Sequence, residues 1–504
     1  MKKISLSKLP RTATVIEIAP YVLLAIWFGL KCLQLQSPYQ IFSDAHISHQ
    51  LSKGWLEGRP LLYDTYYGFH GRIHNYFFIL LLGPVTWLVG IYGLFLVYVL
   101  LTAYLFHRLW KANADWGNRK SVWLSLILYG LGPLAYLIFI DVFGWHPEQY
   151  FFPLMGLSAL YLAQRKYVKA ALCLFLVALV KETSPVLICG LLLFASITSD
   201  VLNKKELTLK AVLFSKRNLT IGVLCAGAFL VGILWLSYLN PYGSRLSQAL
   251  THLWVADSTT LFFFTVRYLI GASVLFVVLF LPFIPLLKPL PGSKWMAGFL
   301  CFYFLVMCIA FFVESLHYFP GFDGGLPYPT RVGSVLSVFF GCYIFLLLRA
   351  GSPEHPFTLY PSLWSTILQL TFSSVLVFHS WPFIETRKDL EKSLSHLLSG
   401  LQGDMYGDPD RQLLQKFAAR LPRGSEVVAP DRYLSIFHKF YGSLPGRSEH
   451  RLEQPVLYVC ESDTLSPGYI PCPVGEPQYQ KYEGKNICIW IDKRWKNQFE
   501  KLVE

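Results

Sequence analysis

The sequence predicts a polytopic α-helical membrane protein with about eleven transmembrane helices and a small soluble C-terminal α/β domain. Three observations carry this. The 504-residue chain is 54% hydrophobic and 15% charged, with a mean hydropathy of +0.43, a composition that a water-soluble fold would show as large apolar patches. Apolar runs long enough to cross about 30 Å of hydrocarbon recur through residues 1–384. Lys and Arg concentrate in alternate connections, as cytoplasmic loops require.

The first element follows a basic start, Lys2, Lys3, Lys8 and Arg11. Its apolar run, near 15–36, is longer than a secretory signal core and has no small-residue cleavage site behind it, so it reads as an uncleaved first span with the N-terminus cytoplasmic. Further spans are expected near 91–107, 121–140, 150–164, 168–181, 184–199, 219–239, 259–287, 295–313, 332–349 and 362–382. Residues 76–89 are broken by Gly83 and Pro84, and counting them as a span would invert everything downstream. They read instead as a re-entrant or interfacial segment, or as half of one long kinked element.

With that parity, 108–120, 165–169, 204–217, 288–294 and 349–355 lie inside, and four of these five loops are clearly basic. The first outside loop, 37–75, and those at 141–149, 181–183, 240–258 and 314–331 hold much of the Asp, Glu and His found before the tail. The formal charge of +13 is thereby explained by membrane orientation, and nucleic acid is not expected as a partner.

The tail, 385–504, falls outside as a mixed α/β domain. Helical stretches are expected at 387–398 and 410–421, and buried strands at 426–429, 456–460 and 487–491. Of ten cysteines, Cys460, Cys472 and Cys488 lie in the tail, enough for one disulfide, and no zinc-type C-x-x-C spacing occurs. No internal repeat supports an inverted-repeat transporter. Asn218-Leu219-Thr220 fits a glycosylation sequon but lies inside in this topology.

Three outside clusters can carry chemistry. The first loop holds Asp44, His46 and His49, then an aromatic stretch from Tyr63 to His74 that includes Asp64, His70 and Arg72. A carboxylate at the membrane surface beside imidazoles can deprotonate a hydroxyl, and flat rings offer faces to sugars. Ser43 or Asp44 would also cap a short interfacial helix, the tyrosines would suit an aromatic belt, and Asp64 reads as a turn residue. Asp141, His146, Pro147 and Glu148 form the second cluster. Pro147 and Glu148 suit a helix start, but that does not account for Asp141 and His146.

The third is Lys181-Glu182, adjacent opposite charges within an apolar stretch, where ionisable groups mark function or form an ion pair at a turn. Glu314, His317, Asp323 and Arg331 lie in a Gly- and Pro-rich loop on the same side. Such loops are commonly connectors.

The Asp44 loop with Gln50 and Trp55, the His146-Pro147-Glu148 triplet, the Lys181-Glu182 pair and a tail around Leu421-Pro422 and Val427 resemble the bacterial polytopic proteins of domain-of-unknown-function family 2079. That family is in turn similar to the GT-C glycosyltransferases. The resemblance implies a protein of the bacterial inner membrane that transfers a sugar from a polyprenyl-phosphate carrier to an acceptor on the outer face, with inversion.

On that resemblance Asp44 is the general base, and Lys181, Arg72 or Arg331 neutralises the departing phosphate. His46, His74, Asp141, His146, Glu148 and Glu182 would line the substrate site, with a divalent metal at His146, Glu148 and Glu182 left open. The chain carries Asp44-Ala45-His46 in place of neighbouring acids, and its tail has no W-W-D motif. A transporter or flippase for a lipid-linked or anionic substrate is the competing expectation, with Lys181 and Glu182 as a buried relay.

Overall fold

A computed structural model describes residues 12–36, 43–112 except 66 and 67, scattered positions in 123–130, 145–203, 208–239, position 251, 258–316 except 291, 329–350, and much of 409–495. The described chain is mostly helical, with a small C-terminal sheet. Among the described residues, six helices are long and apolar enough to cross a membrane. They are Tyr92–Ala112, Ser184–Leu202, Lys216–Leu236, Leu261–Phe280, Ser293–Val313 and Val332–Ala350.

In chain order the elements begin with α1 (Thr12–Gln36), α2 (Ser43–Lys53), the two-residue strands β1 (Tyr63–Asp64) and β2 (Gly68–Phe69), α3 (Phe77–Leu80), α4 (Gly83–Val89) and α5 (Tyr92–Ala112). They continue with α6 (Phe151–Ala163), α7 (Tyr167–Ala178), α8 (Ser184–Leu202), α9 (Leu209–Phe214), α10 (Lys216–Leu239), α11 (Ser258–Phe280), α12 (Ile284–Leu287), α13 (Ser293–Leu316) and α14 (Pro329–Ala350).

Helix α14 is the central pillar. Its apolar window is 89% buried, against 6% for that of α10, so α10 faces the lipid side. Helices α6 and α8 pack on α14, where Phe152 stacks on Phe340 with ring centroids 4.7 Å apart. Small residues permit the close approaches: a Cβ on Gly156 would come within 2.6 Å of Leu105, and one on Gly190 within 2.5 Å of the Tyr303 ring. Exposed Leu, Val, Ile and Phe side chains on α10, α11 and α13 suit hydrocarbon contact.

The interrupted segment 76–89 is two short helices, α3 and α4, with exposed Phe77, Leu81, Trp87 and Leu88. The run expected as one span over 259–287 divides into α11 and the one-turn α12, because Pro282 removes a backbone donor at the break. The span expected at 362–382, the boundary at 384/385 and the helix at 387–398 lie outside the described residues. Only scattered helical positions, such as Trp123 and Tyr129, are described in 121–140.

The tail holds α15 (Pro409–Ala418) and a sheet of β3 (Glu426–Val428), β4 (Tyr441–Ser443), β5 (Leu457–Glu461), β6 (Tyr479–Glu483) and β7 (Ile487–Asp492), in the order β4-β3-β5-β7-β6. β3 runs parallel to β4 and β5, while β7 is antiparallel to both β5 and β6. The three expected strands are present. β4 and β6 are additions, since Tyr-Gly-Ser and Tyr-Gln-Lys-Tyr-Glu lack the apolar run or alternation that announces a strand. Arg59 donates to Glu426 Oε1 at 2.9 Å, linking the first loop to the tail.

Candidate functional site at the helix ends

The site is assembled on α2. Asp44 occupies its first turn, where a carboxylate meets the positive end of the helix dipole. Ala45, Ile47 and Leu51 anchor α2 in the core. Gln50 Oε1 accepts from the Thr65 backbone N–H at 2.8 Å and from its hydroxyl at 3.0 Å, tying α2 to the β1–β2 hairpin. The Ser52 and Thr86 hydroxyls, 2.8 Å apart, tie it to α4. Gly83 makes that junction possible, because a Cβ there would lie 2.5 Å from the Ser52 carbonyl oxygen.

The hairpin presents a pair that the sequence reading missed. Asp64 is not a turn residue but a fully buried strand residue, and its Oδ2 accepts from His70 Nδ1 at 2.8 Å. Leu62, at φ +54°, closes the hairpin by accepting from the His70 backbone N–H at 2.7 Å. Left-handed backbone in a non-glycine residue is held only where its surroundings over-determine it. Here burial of the Leu62 side chain does so.

Three distant stretches then converge. His146 Nε2 lies 3.2 Å from Asp44 Oδ2. Two residues on, in the 3₁₀ turn Pro147–Tyr150 that leads into α6, Glu148 Oε1 accepts from Lys181 Nζ at 2.5 Å. Glu182 Oε1 accepts from His74 Nδ1 at 3.0 Å, and its Oε2 from the Asn75 backbone N–H at 3.3 Å. Tyr76 lies at the centre. Its hydroxyl is 3.4 Å from Glu148 Oε1, its ring stacks with His70 and His74, and the Lys181 ammonium is 5.7 Å from the ring centroid.

Local chemistry explains why Lys181 and Glu182 sit here. Helix α7 ends at Ala178, α8 starts at Ser184, and the Lys181 backbone N–H is capped by the Ser184 hydroxyl at 3.1 Å. The Phe78 backbone N–H reaches the Leu179 carbonyl at 2.8 Å, docking α3 on the same turn. Gly232 of α10 packs against Glu182, whose Cβ would be 3.5 Å from a Cβ added at the glycine.

Comparison of the chain with protein-family models, curated proteins and solved structures finds no match. The site therefore rests on its own geometry.

Of the expected site residues, Asp44 and His146, Glu148 and Lys181, and His74 and Glu182 are brought together in pairs. His46 is buried in α2. Arg72 lies in the 3₁₀ turn His70–Arg72 and Arg331 in the first turn of α14; Asp141 lies outside the described residues. One role changes. Lys181 is held by Glu148, both side chains at most 3% exposed, so its ammonium is not presented to an incoming phosphate. His146, Glu148 and Glu182 each have one near partner, in Asp44, Lys181 and His74 respectively. No group of three potential ligands occurs among the described residues.

The sequon asparagine, Asn218, is also committed. It lies in α10, donates to the Val212 carbonyl at 2.6 Å and accepts from the Ser196 hydroxyl.

Proposed function

We propose that the chain is a GT-C-like membrane glycosyltransferase that moves a sugar from a polyprenyl-phosphate donor to an acceptor hydroxyl at the extracytoplasmic face, with Asp44 as general base. One observation carries this reading. The Asp44 side chain is 31% exposed, whereas those of Asp64, Glu148 and Glu182 are 0%, 2% and 5% exposed. Asp44 is thus the carboxylate in this cluster that an acceptor hydroxyl reaches without disturbing the packing.

In the reaction, Asp44 takes the hydroxyl proton as the oxygen attacks the anomeric carbon from the face opposite the phosphate, inverting its configuration. Polyprenyl phosphate departs as a stable anion, so no second carboxylate need act as acid. His146 beside Asp44 orients the carboxylate. Arg72 and Arg331 replace Lys181 as the cations offered to that phosphate. The Lys181–Glu148 pair instead holds the start of α6 against the α7–α8 turn. Exposed Phe77 and Leu81, just beyond Tyr76, give an isoprenoid chain an apolar ledge.

This reading places the protein in a bacterial inner membrane with the N-terminus cytoplasmic and the tail outside. The disulfide at Cys460 supports an oxidising compartment for the tail. A transporter is the second reading, favoured by the buried Lys181–Glu148 pair, since ionisable pairs within a membrane domain commonly relay protons.

The test is transfer of radiolabelled sugar from a panel of polyprenyl-phosphate donors by purified protein. Transfer by wild type that disappears in a folded Asp44→Asn variant is the expected result. No transfer, together with substrate uptake into proteoliposomes, would replace the enzyme by the transporter.

A further inference from the structure

The outer face of the tail sheet carries a thiol beside a disulfide. Cys460 of β5 is disulfide-bonded, whereas Cys488 of β7 is a free thiol. The two residues are direct partners across the antiparallel β5–β7 ladder. Direct partners have Cα atoms about 4.5–5.5 Å apart, within the span of about 4.4–6.8 Å that a disulfide bridges.

They also share a face. Along β7, Ile487, Ile489 and Ile491 are buried while Cys488 and Trp490 are half-buried; along β5, Leu457 and Val459 are buried while Tyr458 and Cys460 are half-buried. Direct partners in an antiparallel ladder project to the same side. On β6, Glu483 pairs with Cys488 and Lys481 with Trp490, and the Lys481 ammonium is hydrogen-bonded to Glu483 Oε1 at 2.7 Å. The thiolate is the attacking form in thiol–disulfide exchange.

We propose that Cys488 is a resident nucleophile that attacks Cys460 and moves its disulfide, so that the tail interconverts between two disulfide isomers. The Cys488 thiolate forms a bond to the Cys460 sulfur. The existing bond to Cys460 breaks, and the departing sulfur leaves as a thiolate that takes up a proton from water. One disulfide and one thiol exist before and after, so no oxidant or reductant is consumed.

The relocated bond staples β5 to β7 at the centre of the sheet. It frees the cysteine released from Cys460 for a mixed disulfide with another thiol. The tail's remaining cysteine, Cys472, lies outside the described residues. Nothing in this exchange depends on the glycosyltransferase reading.

The experiment uses the full chain purified in detergent without reductant. Samples are quenched with acid, alkylated with N-ethylmaleimide and mapped by peptide mass spectrometry, before and after incubation at mildly alkaline pH. The expected result is growth of a Cys460–Cys488 linkage with concurrent labelling of Cys472. A single unchanged linkage with Cys488 still alkylatable after overnight incubation would overturn the proposal.

In Cys472→Ser, mild oxidation with glutathione disulfide should close Cys460–Cys488 in nearly all molecules. A folded variant that keeps both thiols would refute the ladder geometry as bridgeable.

Discussion

Removing Lys181 tests the centre of the site most directly. Its ammonium lies 2.5 Å from Glu148 Oε1, with the two side chains 3% and 2% exposed. In Lys181→Met the Glu148 carboxylate stays buried without its cation, and Tyr76 at 3.4 Å is too long a contact to compensate. Breaking one side of such a pair costs about 3–5 kcal/mol. Replacing both sides by apolar groups, as in Lys181→Met with Glu148→Leu, removes the stranded charge and is often neutral or stabilising by about 1–4 kcal/mol.

The double variant should therefore be more stable than the single, with a coupling energy of about 3 kcal/mol or more. The assay is reversible unfolding in mixed micelles with increasing SDS fraction, followed by tryptophan fluorescence. A single variant as stable as wild type, or a coupling below about 0.5 kcal/mol, would show that the pair is not formed and that Lys181 is available to a phosphate.

Three further outcomes follow from the same site. Gly83→Ala should destabilise by about 1–3 kcal/mol through the backbone approach to Ser52, read by the same unfolding assay. Gln50→Leu strands the buried Thr65 N–H and hydroxyl and should cost about 1–3 kcal/mol, with faster hydrogen exchange in residues 63–70. Asp64→Asn should release the His70 imidazole, seen as a changed ¹⁵N resonance at Nδ1, while Asp44→Asn leaves that resonance in place.

In the tail, burial raises the Asp492 pKa, but hydrogen bonds and charge from Arg494 outweigh this and leave it below the ordinary carboxylate value. The stabilisation is fully present above the unfolded pKa and is lost as pH falls through the lower folded value. Hydrogen-exchange protection of β7 should therefore drop in that acid range, and Arg494→Ala should move the drop to higher pH.

The helical framework was legible because membrane spans announce themselves by length and hydropathy, and those described fall close to the expected runs. The acidic and histidine clusters were legible as residues but not as partners. Nothing local to Asp44 names His146, and nothing local to His74 names Glu182, since each pair is set by how helix ends meet in space. Asp64 was misread because Tyr-Asp-Thr-Tyr-Tyr-Gly resembles a turn. Its burial depends on α2 closing over the hairpin through Gln50. Lys181 was read as a phosphate ligand because an isolated cation in an apolar run has that look, and its commitment to Glu148 arises only when α6 and the α7–α8 turn are placed together.

Where the charges lie also bears on the choice between surface chemistry and transport. Asp44 begins α2, His146 and Glu148 precede α6, and Lys181 and Glu182 occupy the turn before α8. Every one is at a helix end. Unpaired backbone donors at such ends stabilise carboxylates, and interfacial water lowers the cost of the charges.

A proton relay across the bilayer would instead need ionisable groups spaced down the helix interiors. Asp200 and Arg217, which pair at 2.5 Å, do not extend the cluster in that way. They sit at the far end of α8 and the near end of α10, eighteen residues beyond Glu182 (200 − 182), or about 27 Å along a helix at 1.5 Å per residue. The two charged layers are thus separated by roughly the thickness of the hydrocarbon core, with the apolar length of α8 between them. That spacing favours a reaction at one surface over a path through the membrane.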